Sequence, residues 1–272
     1  GVKTFVHTVE QYFIGLPLGL VLAAIIPTIV AAFLGYFILG LRGHYFAICT
    51  LGIGIASGEL ATSMTIWGGG QGMTVPVWPK VDGQEIDVLG GSVNFFYTLT
   101  FILFFCTYFF LRWLFSTRFG LILTAIRDNE DKAEAMGIPT MRYKVTGWVV
   151  SAFFMGIAGA IYGNINGYIE PTEVAFAGAT VGVYMVLMAI LGGKGTLWGP
   201  IIGAIIFQVF KEFFWTYFLG WQRVALGLLI VLIVVFFPEG IMGWLRREKP
   251  EWFGEIVDKK ARLAQVTIKT ND

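Results

Sequence analysis

The chain has 272 residues, of which 56% are hydrophobic and only 14% charged, and its mean hydropathy of +0.73 lies outside the range of ordinary soluble domains. A formal net charge of +1, with Lys and Arg spread between apolar runs, leaves no basic stripe to hold nucleic acid. Composition therefore excludes a water-solvated nucleic-acid binder and points to a protein solvated by lipid.

Crossing the hydrocarbon core takes about 20 residues of apolar helix. Seven runs are candidates: Phe13–Leu39, His44–Ile66, Val93–Phe115, Val145–Tyr168, Phe176–Leu191, Leu197–Leu219 and Trp221–Phe237. They are continuously apolar instead of alternating, which favours helices over barrel strands. The expected fold class is all-α, a polytopic bundle of transmembrane helices. The fifth run is the shortest and is expected to be tilted, broken or re-entrant. Cys49 and Cys106 each fall inside an apolar run, where a small hydrophobe is expected and not a disulfide or metal ligand. The chain opens at Gly1 without an initiator Met or a readable signal peptide, and further N-terminal residues are expected.

Lys and Arg favour the cytoplasmic side of short loops. Arg42 lies in the first break, Arg118, Arg127, Lys132, Arg142 and Lys144 lie in the third, and Arg246, Arg247 and Lys249 follow the last run. These breaks share one side by parity, expected to be cytoplasmic. The segments 67–91 and the break carrying Glu170 and Glu173 are then external. The expected organisation is a permease domain over 1–243, with a cytoplasmic loop at 118–144 and an external loop at 67–91, followed by a tail at 244–272. In the tail, Trp252, Phe253 and Ile256 mixed with Lys259 and Lys260 fit either an amphipathic surface helix or a solvated extension.

Glycines recur at four-residue spacing, as in Gly54 with Gly58, Gly159 with Gly163, Gly178 with Gly182, and Gly195 with Gly199 and Gly203. Such spacing is expected to let helices pack closely. Gly192-Gly193-Lys194-Gly195-Thr196 is not a phosphate loop, since no Ser or Thr follows Lys194 directly and no strand precedes it; a tight turn is expected. Glu59 lies within the second run, where a carboxylate is costly and should face protein or water, in a polar pathway or in a structural hydrogen bond. Lys211 and Glu212 are expected to reach an interface or to pair with neighbours.

The polar loop contains a short amphipathic helix. Asp128 or Asn129 can cap it, Glu130 and Asp131 occupy its first turn, and Gly137 can stop it. On residues alone this is a solvated connector or a docking surface. With Glu134-Ala135 and Gly137 in place, it resembles the coupling motif of ABC importer permeases. Arg42-Gly43-His44-Tyr45-Phe46-Ala47-Ile48, Thr50-Leu51, Gly192 to Thr196, Gly199-Pro200, Gly203-Ala204 and Phe237-Pro238-Glu239-Gly240-Ile241 are similar to LivM-type permeases of branched-chain amino acid importers. The resemblance covers Gly40 to Gly243. Its coupling face, with Asp128, Glu130 and Asp131, is more acidic than is usual in that family.

The resemblance implies a non-catalytic transport subunit in the bacterial inner membrane. It implies a LivH-type second permease, two cytoplasmic ATPase subunits that hold the ATP and Mg, and an external solute-binding protein. The residues it places at the ATPase-coupling surface are Arg127, Asp128, Asn129, Glu130, Glu134, Ala135 and Gly137, and Glu59 is the candidate pathway residue. The solute would be a branched-chain or other neutral amino acid, with urea and short amides as alternatives. An ion-coupled secondary carrier is the rival of a different class. An intramembrane enzyme lacks a constellation, because His7 and His44 are far apart and every Asp lies outside the runs.

Overall fold

The structure, a computed structural model, describes residues 9–41, 43–65, 68–76, 78, 80–81, 84–85, 91–176, 182–193, 195–217, 224, 227 and 240–248. It divides into two compact units, residues 1–178 and 179–272, which are described separately.

In the first unit the helices are α1 (Val9–Ile38), α2 (His44–Ser63), α3 (Ser92–Ser116), α4 (Arg118–Asp128), α5 (Glu130–Ala135) and α6 (Thr140–Asn166). Within α1, α2, α3 and α6 lie four segments long and apolar enough to cross a membrane, matching the first four predicted runs. Hydroxyls within them are satisfied internally: Thr28, Thr50, Ser57, Thr100 and Thr107 each donate to the carbonyl four residues back. That is how a hydroxyl is carried through hydrocarbon. Large apolar side chains such as Ile29, Phe33, Phe101, Phe105 and Phe109 point outward, as lipid-facing surfaces do.

The antiparallel pair α1 and α6 forms the centre of this unit. Pro27 offers no N–H to the Ala23 carbonyl, and Gly156 of α6 packs against that carbonyl so closely that a Cβ would lie 1.9 Å from its oxygen. Further along, Gly35 meets Trp148. At one end Tyr12, Phe13, Trp78, Phe95 and Phe96 pack edge to face around the nearly fully buried Ile161. This cluster places the N-termini of α1 and α3 beside the C-terminal end of α6. At that same end β1 (Met73–Thr74) pairs antiparallel with β4 (Tyr168–Ile169), so the two breaks assigned to one side by parity are joined. A second ladder joins β2 (Lys80–Val81) to β3 (Gln84–Glu85). These short strands were not anticipated from the sequence. A 3-10 turn at Gly69–Gln71 and a π-helical turn at Pro171–Ala175 flank the first ladder.

In the second unit the described helix α7 (Val183–Gly192) has ten residues and runs about 15 Å, roughly half the thickness of the hydrocarbon core. It takes up the C-terminal part of the fifth predicted run, whose residues 177–181 lie outside the described ones. The sixth run is α8 (Gly199–Tyr217), about 28 Å long, with Gln208, Lys211 and Glu212 lowering its apolar character. Lys211 Nζ stands 5.8 Å from the Tyr184 ring centroid, a cation–π neighbour on α7. Gly192, Gly199 and Gly203 bring the two helices to backbone contact, and a methyl on Gly203 would lie 1.9 Å from the Met188 carbonyl oxygen. Thr196 accepts from the Gly199 N–H at 3.0 Å and so caps α8, in keeping with a turn at this segment. A last helix, α9, spans Gly240–Glu248.

Of the predicted glycine pairs, Gly58 packs on Phe176 and Gly163 on Ile169, while Gly54 and Gly159 meet nothing among the described residues. Gly195 takes a positive φ of 80° in the turn, and Gly178 lies outside the described residues. Also outside them are Arg42, Lys194, most of the seventh run and the tail beyond Glu248.

Candidate functional site

The polar loop between α3 and α6 folds into α4 and α5. Gly120 makes the corner after α3 possible, since a Cβ there would lie 2.6 Å from the Phe115 carbonyl oxygen. The α4 helix buries Ile126 and leaves Leu121 exposed. At its end Arg127 forks onto Asp128 Oδ1 at 3.1 and 2.9 Å, with both side chains more than half exposed. A pair so well solvated contributes little stability.

Asn129 is the residue that caps α5, its Oδ1 accepting the Lys132 N–H at 2.9 Å. Glu130 and Asp131 fill the first turn, where the helix dipole favours carboxylates. At the other end Gly137, at φ +82°, donates to the Glu134 carbonyl at 2.8 Å, and the Ile138 N–H donates to the Ala133 carbonyl at 3.1 Å. These two bonds form a Schellman motif, for which the left-handed Gly137 is the natural residue. Ala133 is buried against its surroundings, whereas Glu134, Ala135 and Gly137 are exposed.

Two side-chain contacts then tie α5 to the start of α6. Glu130 Oε1 accepts from Lys144 Nζ at 2.7 Å, and Glu134 Oε1 accepts from the buried Thr140 hydroxyl at 2.7 Å. Three features here are not apparent from the apolar count. The helix α6 starts at Thr140 instead of Val145, because its first turn is polar. Thr140 and Lys144 therefore belong to a helix and not to a loop. Met136, next to Gly137, is 83% exposed, an apolar knob at the tip of the loop. Thioether side chains of this kind are common at protein interfaces.

Seven predicted residues, Arg127, Asp128, Asn129, Glu130, Glu134, Ala135 and Gly137, are thus brought together in one folded turn. Glu59 is not among them. It sits near the C-terminal end of α2, away from the end that α6 shares with α5. Its carboxylate makes no hydrogen bond or ion pair among the described residues, and it is exposed together with Tyr45, Ile48 and Ile55 on one helix face. The opposite face of α2 borders a pocket of about 450 Å³ lined by Ser57, Leu60, Met64, Met73, Ile169 and Phe176. The Ser57 hydroxyl is already committed to the Ile53 carbonyl, so the pocket presents mainly hydrocarbon. No cluster of three His, Cys, Asp or Glu side chains suited to a metal ion occurs among the described residues.

Long apolar helices with internally satisfied hydroxyls and one folded polar turn define a polytopic helical protein of the membrane. The chain belongs to the family of permease components of branched-chain amino acid transport systems, whose family model matches residues 2–236. It is 27% identical over 266 residues to the high-affinity branched-chain amino acid transport system permease protein LivM of Salmonella typhimurium, covering 90% of this chain and 62% of that relative. It is 29% identical over 240 residues to a probable branched-chain amino acid transport permease protein LivM of Methanocaldococcus jannaschii, covering 83% of this chain and 67% of that protein. LivH of Salmonella typhimurium is 27% identical over 173 residues, covering 60% of this chain and 54% of that protein. The chain thus spans less than two thirds of the length of the first of these relatives. No solved structure matches it.

Proposed function

We propose that this chain is a membrane-spanning subunit of an ABC importer that moves branched-chain or other neutral amino acids inward, powered by ATP and Mg on two separate cytoplasmic ATPase subunits. The family match over residues 2–236 carries this reading. A LivH-type permease completes the pathway, and an external binding protein delivers the solute at the side of the 67–91 loop. The membrane is the bacterial cytoplasmic membrane, the permease domain spans 1–243 by seven crossings, and the tail 244–272 lies in the cytoplasm.

In this reading α5 is the coupling helix. Arg127, Asp128, Asn129, Glu130, Glu134, Ala135 and Gly137 present it, with Met136 at its tip, to a cleft in the ATPase. Closure of the ATPases displaces α5, and the displacement reorients the helices around the pathway. Glu59 then faces the aqueous pathway or the second permease, since lipid is the least favourable surrounding for an unpaired carboxylate.

The test is purification of the tagged chain with its partners from native membranes, reconstitution, and assay of uptake and ATP hydrolysis with amino acids, urea and short amides. Partner ATPases and stimulation by one neutral amino acid with its binding protein are expected. In the same system Gly137→Pro, which removes the N–H given to Glu134 and forbids φ +82°, should lower uptake while leaving insertion intact. Active homo-oligomers without ATPases would overturn the reading in favour of an ion-coupled carrier.

A further inference from the structure

Glu130 and Glu134 lie four residues apart on α5, and Thr140 and Lys144 lie four residues apart on α6, so each pair shares a helix face. The contacts between them are nested: Glu130 reaches Lys144 across 14 residues, and Glu134 reaches Thr140 across 6. Both are centred on Gly137. The turn at Gly137 would by itself be a hinge, because only Met136 to Pro139 separate the helices. The two rungs close that hinge on one side, with the buried Ala133 beneath them.

The rungs are not ordinary surface contacts. Thr140 is 3% exposed, and the Lys144 and Glu130 side chains are 19% and 24% exposed, so solvent and salt screen them less than the Arg127–Asp128 pair on the same loop. From the rungs the rigid path continues. The backbone of α6 meets that of α1 where Gly156 packs on the Ala23 carbonyl.

We infer that Thr140 and Lys144 are positioning residues that lock α5 onto the first two turns of α6, so that a displacement of α5 is delivered to α6 and, through Gly156, to α1. This rests on the reading of α5 as the coupling helix. It assigns the two residues a role in transmission and none in contacting solute or nucleotide.

The experiment uses the whole transporter, reconstituted with its ATPases and binding protein. Thr140→Val combined with Lys144→Met removes both rungs while keeping side-chain bulk. Uptake per ATP hydrolysed should fall roughly fivefold or more. Thr140→Ser combined with Lys144→Arg, which keeps a hydroxyl and a cation, should restore it. The lock is also read directly by spin labels on Ala135→Cys and Ser151→Cys, in a chain with Cys49 and Cys106 replaced by alanine. One distance distribution is expected with and without ATP, and it should broaden when both rungs are removed. Coupling unchanged by Thr140→Val with Lys144→Met, or a label distance that shifts with nucleotide in the intact chain, would overturn the inference and leave the importer reading standing. Loss of assembly shared by the conservative variant would also overturn it, by showing a folding role. Absence of any ATP-driven uptake by the unaltered transporter would bring down the functional reading itself.

Discussion

At its N-terminal end α6 is held to α5 by side chains only 6 and 14 residues apart, whereas at its C-terminal end it is tied by backbone to a segment almost a hundred residues earlier. The first fastening consists of a carboxylate with a hydroxyl and a carboxylate with an ammonium. The second consists of the β1–β4 ladder, the Val75 N–H on the Gly167 carbonyl at 3.0 Å, and the Tyr168 hydroxyl on the Gln71 carbonyl at 2.6 Å. The chemistry sets what each can do. Side-chain rungs across a short turn close a loop of little entropy and re-form readily if broken, because their ends stay tethered. A non-local backbone ladder orders a long intervening segment, and its groups cannot be left unpaired cheaply. One end of the helix is fastened by local side-chain contacts, the other by backbone pairing with a distant segment.

The largest test of this contrast is Gly72→Val. Gly72 sits at φ +67° and ψ −170° beside the ladder, where a Cβ would lie 2.6 Å from the Ile169 carbonyl oxygen. Strain and overlap together should cost about 3 kcal/mol or more. The midpoint of thermal unfolding of the detergent-purified chain should drop, and amide protection of Val75 should vanish. A small loss would mean that the ladder is incidental and that the aromatic cluster around Trp78 alone holds this end.

A smaller effect is expected at the other end from Asn129→Ala. The α5 helix has only six residues, so one lost cap is a large fraction of its support, yet the change should be only about 1 kcal/mol. It should appear as faster hydrogen exchange at Lys132, with the β1–β4 amides unaffected. Coupled loss of protection at both ends would erase the distinction between them.

These ends differ in legibility for the same physical reason. Everything that shapes α5 is local: Asn129 caps, Glu130 and Asp131 meet the dipole, Gly137 stops, and each can be read from its neighbours. The four long helices were readable because hydrocarbon demands continuous apolar runs. The ladder was not, because two-residue strands have no periodicity and their partners are distant in sequence. Thr140 and Lys144 were assigned to a loop because the apolar count began at Val145, and a helix that projects into water starts before its apolar part does. Gly156 escaped a search for glycines paired at four-residue spacing. What selects it is a single carbonyl, Ala23, left without its helical donor by Pro27 on another helix. Glu59 was legible as a cost, but its compensating partner was not, since none lies among the described residues.

The smallest expected effect sharpens the contrast most. Tyr168→Phe removes one hydroxyl, whose bond to the Gln71 carbonyl is 2.6 Å long but whose residue is 39% exposed. Water can replace the lost donor, so the cost should be about 0.5 to 1 kcal/mol in the same unfolding assay. The backbone pairing remains, and the β1–β4 register should survive, with Val75 still protected. If the register slips instead, the hydroxyl and not the backbone pairing fixes this end. Both ends of α6 would then be held by side chains, and the contrast between a local side-chain fastening and a non-local backbone one would disappear.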